Sequence, residues 1–173
     1  MPVHVASGGA SGGYARKLFT GLTGGSTVTY AIGAAGAAGA AGNNDGGNGG
    51  DSTLTAGGST VTGKGGSGAD TRTLAVGFAV GPSGGTSTGG DVNGEGRPGA
   101  PAINLDADTV GLSGTGGTPC GGVGVGGQAR DSVGDGLDGT GRAAGGGGAF
   151  AGATTDRAGG AGTGGLIIVR EYT

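Results

Sequence analysis

This 173-residue chain has no tryptophan and only one each of cysteine, histidine and methionine. With Cys120 alone, no intrachain disulfide can form, and the redox compartment stays open. With His4 alone, any histidine-dependent triad would have to use a residue in a predicted N-terminal strand, far from any nucleophile-elbow context. Cys120, in TPCGG, has no neighbouring base to activate it and reads as an inert small residue. Long apolar runs are also missing. The longest, residues 166–169, has four members, against the roughly 20 needed for a membrane-spanning helix. Basic residues are few and scattered, nine against 12 acidic ones for a net charge of −3, which argues against a nucleic-acid partner. Leu, Ile, Val and Phe together number only 27, so a conventional core of large side chains is not available.

In their place the chain has glycine: 53 residues, recurring as GG, GxG and GAA clusters. A residue without Cβ lets neighbouring segments approach to backbone contact. Much of the packing surface must then be backbone. No segment carries apolar residues at i, i+3, i+4 and i+7 for three turns, and glycine at every second or third position costs each helical turn about 1 kcal/mol or more. Residues 33–42, GAAGAAGAAG, instead have a three-residue period, which fits a polyproline-II-like helix with about three residues per turn. Collagen is excluded because the register breaks at Asn43 and there are only five prolines.

The ends read differently from the middle. Val3 and Val5 alternate in a short strand, residues 14–22 (YARKLFTGL) predict a second, and residues 26–32 (STVTYAI) a third. Gly24-Gly25 between the last two is a hairpin signal. Residues 166–173, LIIVREYT, are the most strand-like stretch of all. The expectation is one glycine-rich, non-helical domain over 1–173. In it, 1–32 and 166–173 form a small antiparallel β frame that closes a bundle or sandwich of polyglycine-II-type segments over 33–165. Segments with larger side chains interrupt the glycine clusters at 69–82, 101–113, 128–138 and 150–157. If the glycine runs are struts, these are the loops at their ends, where recognition side chains usually sit.

Glycine motifs arise by chance in such a chain. Gly58-STVT-Gly63-Lys64 fits seven positions of a P-loop, but Gly65 replaces the hydroxyl that would hold Mg²⁺. Gly122-V-Gly124-VG-Gly127 satisfies GxGxxG, with no helix signal after it. Residues 46–54 resemble a single RTX nonapeptide, but Thr53 holds the apolar position. Asp106-A-Asp108 opens like an EF-hand loop, yet the twelfth position is Gly117. Asp131, Asp135 and Asp138 read as solvated loop acids, with calcium as the alternative. No enzyme, cofactor or metal reading emerges. The start, MPVHVASGG, has neither a basic n-region nor an apolar h-region, so a route outside secretion, such as a virion, is expected.

The order of these pieces is familiar: a strand before GGYA, the polar strand STVTYAIGAAGAAGAAG, then GGNGGDSTLTAGG, GKGGSG, and the closing GGAGTGGLIIVREYT. It resembles the glycine-rich domain near the C-termini of tailed-phage tail-fibre and tail-tip proteins, most specifically over 12–55 and 159–172. In style it is similar to the polyglycine-helix tail-fibre adhesins of T-even-like phages. The resemblance implies a virion structural protein at a fibre or tail tip, without catalytic activity. It would touch a host outer-surface receptor, protein or glycan, through loops held between glycine helices. Other tail or fibre subunits would be partners, without membrane insertion. A homotrimer and a monomeric tip on a trimeric shaft are both compatible with it. The adhesins' trunk-attachment region has no counterpart in this sequence. Large apolar and arginine anchors dominate interfaces, so the candidate contacts are Leu74, Phe78, Ile103, Leu105, Arg130, Phe150 and Arg157. Leu74, Phe78 and Ile103 could equally be minor core plugs. The alternatives to an adhesin are a purely structural cap, spike or adaptor, and an ice-binding bundle of left-handed helices, against which the uneven repeat lengths speak.

Overall fold

The computed structural model describes residues 4–73, 76–106, 110–152 and 154–172. Among these there is no α-helix, only a three-residue 3₁₀ turn at Cys120–Gly122. The strands are short: β1 (His4–Ala6), β2 (Tyr14–Arg16), β3 (Thr29–Ala31), β4 (Ser52–Ala56), β5 (Ser59–Gly63), β6 (Thr71–Thr73), β7 (Gly77–Ala79), β8 (Ser87–Thr88), β9 (Val92–Gly94), β10 (Ala102–Asn104), β11 (Gly111–Leu112), β12 (Gly124–Val125), β13 (Thr140–Gly141) and β14 (Phe150–Ala151). They form five small antiparallel sheets, ordered β14-β1-β6, β11-β10-β7, β12-β13, β2-β9 and β3-β4-β5-β8.

Between the sheets the chain runs as extended glycine struts, and residues 6–13 (ASGGASGG) lie at their centre. All eight of their N–H groups donate to carbonyls of other segments, at 2.9–3.1 Å, and the partners rotate with a period of three. Ala6, Gly9 and Gly12 donate to Ala149, Gly146 and Ala143; Ser7, Ala10 and Gly13 to Asp70, Ser67 and Lys64; Gly8 and Ser11 to Ala100 and Arg97. Three residues per turn point successive donors about 120° apart, so one strut binds three antiparallel neighbours at once. Two further segments donate back, Gly114 and Gly117 to the carbonyls of Ala6 and Gly9, and Gly85 to that of Ser11. Ser7 and Ser11 are fully buried, and their hydroxyls accept from the N–H groups of Asp70 (2.9 Å) and Arg97 (2.7 Å).

The three-residue period of residues 33–42 takes the same form. The carbonyls of Gly33, Gly36 and Gly39 accept from Gly165, Gly162 and Gly159, while those of Ala34 and Ala37 accept from Gly50 and Gly47. Gly33, Gly36 and Gly39 are buried and the alanines of this strut exposed. Acidic and amide side chains extend the pattern where a neighbour's N–H needs a further acceptor. Asp45, Asn48 and Asp51, three apart, accept from Thr71, Gly68 and Gly65 at 2.7–3.0 Å. Asp135 and Asp138 accept in the same way from Ala158 and Ala161.

The β frame differs from the sequence expectation. The sheet holding β1 is closed by β14 and β6 rather than by residues 166–173, and residues 166–172 pair with no strand among the described residues. Val3 and Thr173 lie outside the described residues. The hairpin expected at Gly24-Gly25 is a turn, closed by Ser26 N–H donating to Thr23, that does not pair its flanks. β2 pairs with β9 and β3 with β4. The tight hairpin is β4–β5, whose Gly57-Gly58 turn has φ of +53° and +75°, positive at both positions as a type I′ turn requires. β5 thus absorbs the P-loop-like residues 59–63 as an extended strand, and a short β-strand follows the first glycines of the GxGxxG match.

Close strut approach makes a direct prediction. A Cβ on Gly145 would overlap the carbonyl of Gly9, whereas one on Gly24 would meet open space. Gly145→Ala is expected to destabilise the protein by about 3 kcal/mol through overpacking against backbone that cannot rotate away. Gly24→Ala should be neutral or slightly stabilising. Urea denaturation of the two variants side by side measures the difference. In the same assay Asp138→Ala should cost about 1 kcal/mol, because the Ala161 N–H loses its acceptor, while Asp138→Asn retains an oxygen there and stays close to wild type.

Candidate recognition surface

A set of large apolar side chains gathers on the sheet β7-β10-β11. Register places Phe78 opposite Ile103 and Ile103 opposite Leu112, one row across three strands. All three point outward, with exposures of 66%, 43% and 45%. The period of two in a strand puts Val76 and Val80 on the side of Phe78, and Leu105 on the side of Ile103; these too are exposed. The alternate positions, Ala79, Ala102 and Asn104, are buried. Small residues face inward because the layer beneath is close-packed, and the large ones are directed to solvent.

That layer is a compact apolar cluster made by Val5, Ala79, Ala102 and Phe150. Phe150, expected as a surface contact, is fully buried. Strand β14 places its ring under the sheet β7-β10-β11, where a Cβ on Gly111 would come within 3.2 Å of its Cε2. Phe150 is therefore a support, and its expected contact role is corrected. Phe78 and Ile103 fall on the opposite side of the alternatives left open for them: they are surface residues, and neither is a core plug. Leu74 lies outside the described residues.

Arg130 flanks the sheet. Its N–H donates to the Ser113 hydroxyl (2.7 Å), its carbonyl accepts from the Ser113 N–H (2.8 Å), and its Nε donates to the Asp135 carbonyl (2.9 Å). The guanidinium thus braces residues 130–135 beside the end of β11. At the β10–β11 connection, Leu105 N–H donates to the Val110 carbonyl and Val110 N–H to the Asp106 carboxylate, both at 2.8 Å. This gives Asp106 a turn-capping role; Asp108 lies outside the described residues.

Arg157 lies elsewhere, in a cleft it lines with His4, Asn44 and Thr71. The cleft holds about 10 Å³, room for about one water. His4 contacts the Thr73 hydroxyl through Nδ1 at 2.9 Å, and its Nε2 stands 3.8 Å from the Asp156 carboxylate. The second distance is too long for a hydrogen bond, and the cleft has no space for a substrate. Among the described residues no three His, Cys, Asp or Glu side chains converge as a metal site, and the carboxylates of Asp135 and Asp138 are occupied by backbone N–H groups.

Compared with known proteins, the chain matches no protein-family model, and no curated protein sequence is similar to it. Three of the residues expected from sequence, Phe78, Ile103 and Leu105, come together on one face, with Arg130 at its flank. Leu112, Val76 and Val80 were missed, although the alternation VGFAV around Phe78 carried the signal for two of them.

The division of labour between Phe78 and Phe150 is testable by stability alone. Phe150→Ala should cost about 3–5 kcal/mol by emptying the cluster under the sheet. Phe78→Ser, at an exposed position, should change the urea midpoint little.

Proposed function

We propose that the chain is a virion structural protein at a tail-fibre or tail tip. In this reading it binds a host surface receptor without catalysis, through the outer face of β7-β10-β11. The observation that carries the reading is the in-register row Phe78–Ile103–Leu112, held at the surface by a sheet with buried backing. Isolated exposed apolar residues need no explanation, but a contiguous set on one face marks an interaction site. Because the struts beneath are fixed by backbone hydrogen bonds, little ordering is left to occur on contact, which lowers the entropic cost of binding. Arg130, braced at the rim, adds a cation beside the apolar centre. Several copies on one particle would multiply weak contacts into firm attachment. The resemblance to phage tail-tip domains points the same way, and supplies the host cell surface as the partner.

A purely structural cap remains the second reading, favoured by the same apolar face if a neighbouring subunit covers it. Binding of the labelled protein to whole host bacteria separates the two. The adhesin reading expects saturable binding, reduced at least about tenfold by Phe78→Asp with Ile103→Asp, as loss of central anchors requires. Arg157→Ala, at the separate cleft, should bind as wild type does. No saturable binding by the folded wild-type protein would favour the cap.

A further inference from the structure

A second apolar face lies apart from the recognition sheet. Residues 166–172, LIIVREY, run on from the ladder in which Gly159, Gly162 and Gly165 donate to Gly39, Gly36 and Gly33. Beyond Gly165 the segment carries apolar side chains at four consecutive positions, so both of its faces are apolar. That is the pattern of a strand covered on both sides. Here it pairs with no strand among the described residues, and Leu166, Ile168, Val169 and Tyr172 are exposed, Tyr172 to 77%. Next to it is β3, the edge strand of the sheet β3-β4-β5-β8, with Tyr30 66% exposed and Ile32 exposed. Between the two runs a groove of about 340 Å³, lined by Tyr30, Ile32, Ile167 and Val169.

We infer that this face is a homotypic interface, occupied by a second copy of this chain. The face holds both halves of a strand-addition contact: an extended apolar segment without a strand partner, and a sheet edge with open backbone groups. A surface that carries donor and acceptor together is self-complementary, which is what a symmetric interface between identical chains requires. The area agrees. The exposed parts of Tyr30, Ile32, Leu166, Ile168, Val169 and Tyr172 present roughly 600–700 Å² of mostly apolar surface, against the roughly 800 Å² that each partner contributes to a standard interface. The groove has the volume to receive apolar side chains from the partner's segment.

Sedimentation velocity of the full chain from about 1 to 100 µM tests this. The expected result is a concentration-dependent species of at least twice the 15.5 kDa chain mass. Tyr30→Asp and Val169→Asp, both lining the groove, should each weaken association at least about 30-fold, as loss of central anchors does. Phe78→Asp, on the recognition sheet, should leave association unchanged, so failure here is separable from failure of the receptor reading. Circular dichroism and a urea midpoint verify that each variant is folded. A wild-type protein still monomeric at 100 µM would overturn the inference. So would association that survives both groove variants while folded, or that is lost with Phe78→Asp instead.

Discussion

The fold depends on the way eight consecutive backbone N–H groups, residues 6–13, are distributed in three directions. A β-strand directs its hydrogen bonds into one plane and so has two neighbours. A threefold extended helix directs them around its axis and can bind a layer on every side. That geometry brings neighbouring backbones so close that a Cβ on Gly99, Gly145 or Gly148 would overlap the carbonyls of Gly8, Gly9 or Ala6. Glycine is required here for the space it leaves, and the φ angles at these positions are not the left-handed ones that only glycine tolerates. Backbone donors buried among such struts must all find acceptors, because an unpaired one costs about 1–3 kcal/mol. The serine hydroxyls at 7 and 11 and the aspartates at 45, 51, 135 and 138 fit that demand: each supplies an oxygen to an N–H of an adjacent strut.

Filling the interior with backbone has a consequence for the larger side chains. A conventional protein hides its valines, leucines and phenylalanines between layers; here the space between layers is too narrow. Among the described residues of that size, only Val5 and Phe150 are fully buried. Most of the others among the described residues are exposed, many of them on or beside the short strands. The two apolar faces therefore follow from the packing mode as well as from any function. What supports reading them as proposed interaction surfaces is their order: an in-register row across β7-β10-β11, and a double-faced apolar segment beside a sheet edge.

Much of this was legible in the sequence. The absence of helix followed from glycine density, and the three-residue period of 33–42 is present as a ladder in the structure. Phe78, Ile103 and Leu105 stood out as large apolar side chains in segments between glycine clusters, of the kind that anchors interfaces, and all three are exposed. Pairing partners were not legible. β1 reaches β14 across most of the chain and β2 reaches β9 across nearly half of it, and strands of two or three residues carry too little pattern to specify such distant mates. The central strut was missed for a related reason: ASGGASGG repeats every four residues in sequence while its hydrogen bonds repeat every three, so its letters concealed its geometry. Phe150 was misplaced because proximity to glycine runs marks loops and the rare buried wedge alike. Residues 166–173 were expected to close a sheet on local propensity, and tertiary context decided otherwise.

Separating the interior from the large side chains also separates stability from specificity. In a protein whose binding residues project from a hydrophobic core, changing a contact disturbs packing beneath it. Here the tightest strut glycines, such as Gly99, Gly145 and Gly148, leave no room for a side chain, whereas the outward positions of β7, β10 and β11 face solvent and can exchange one apolar or polar residue for another with little effect on the layer below. The inner positions, Ala79, Ala102 and Asn104, remain constrained by Val5 and Phe150. Such a surface can be rewritten two residues at a time along each strand without refolding the scaffold. A binding module that must follow a changing partner needs that independence, and a backbone-packed interior provides it on physical grounds.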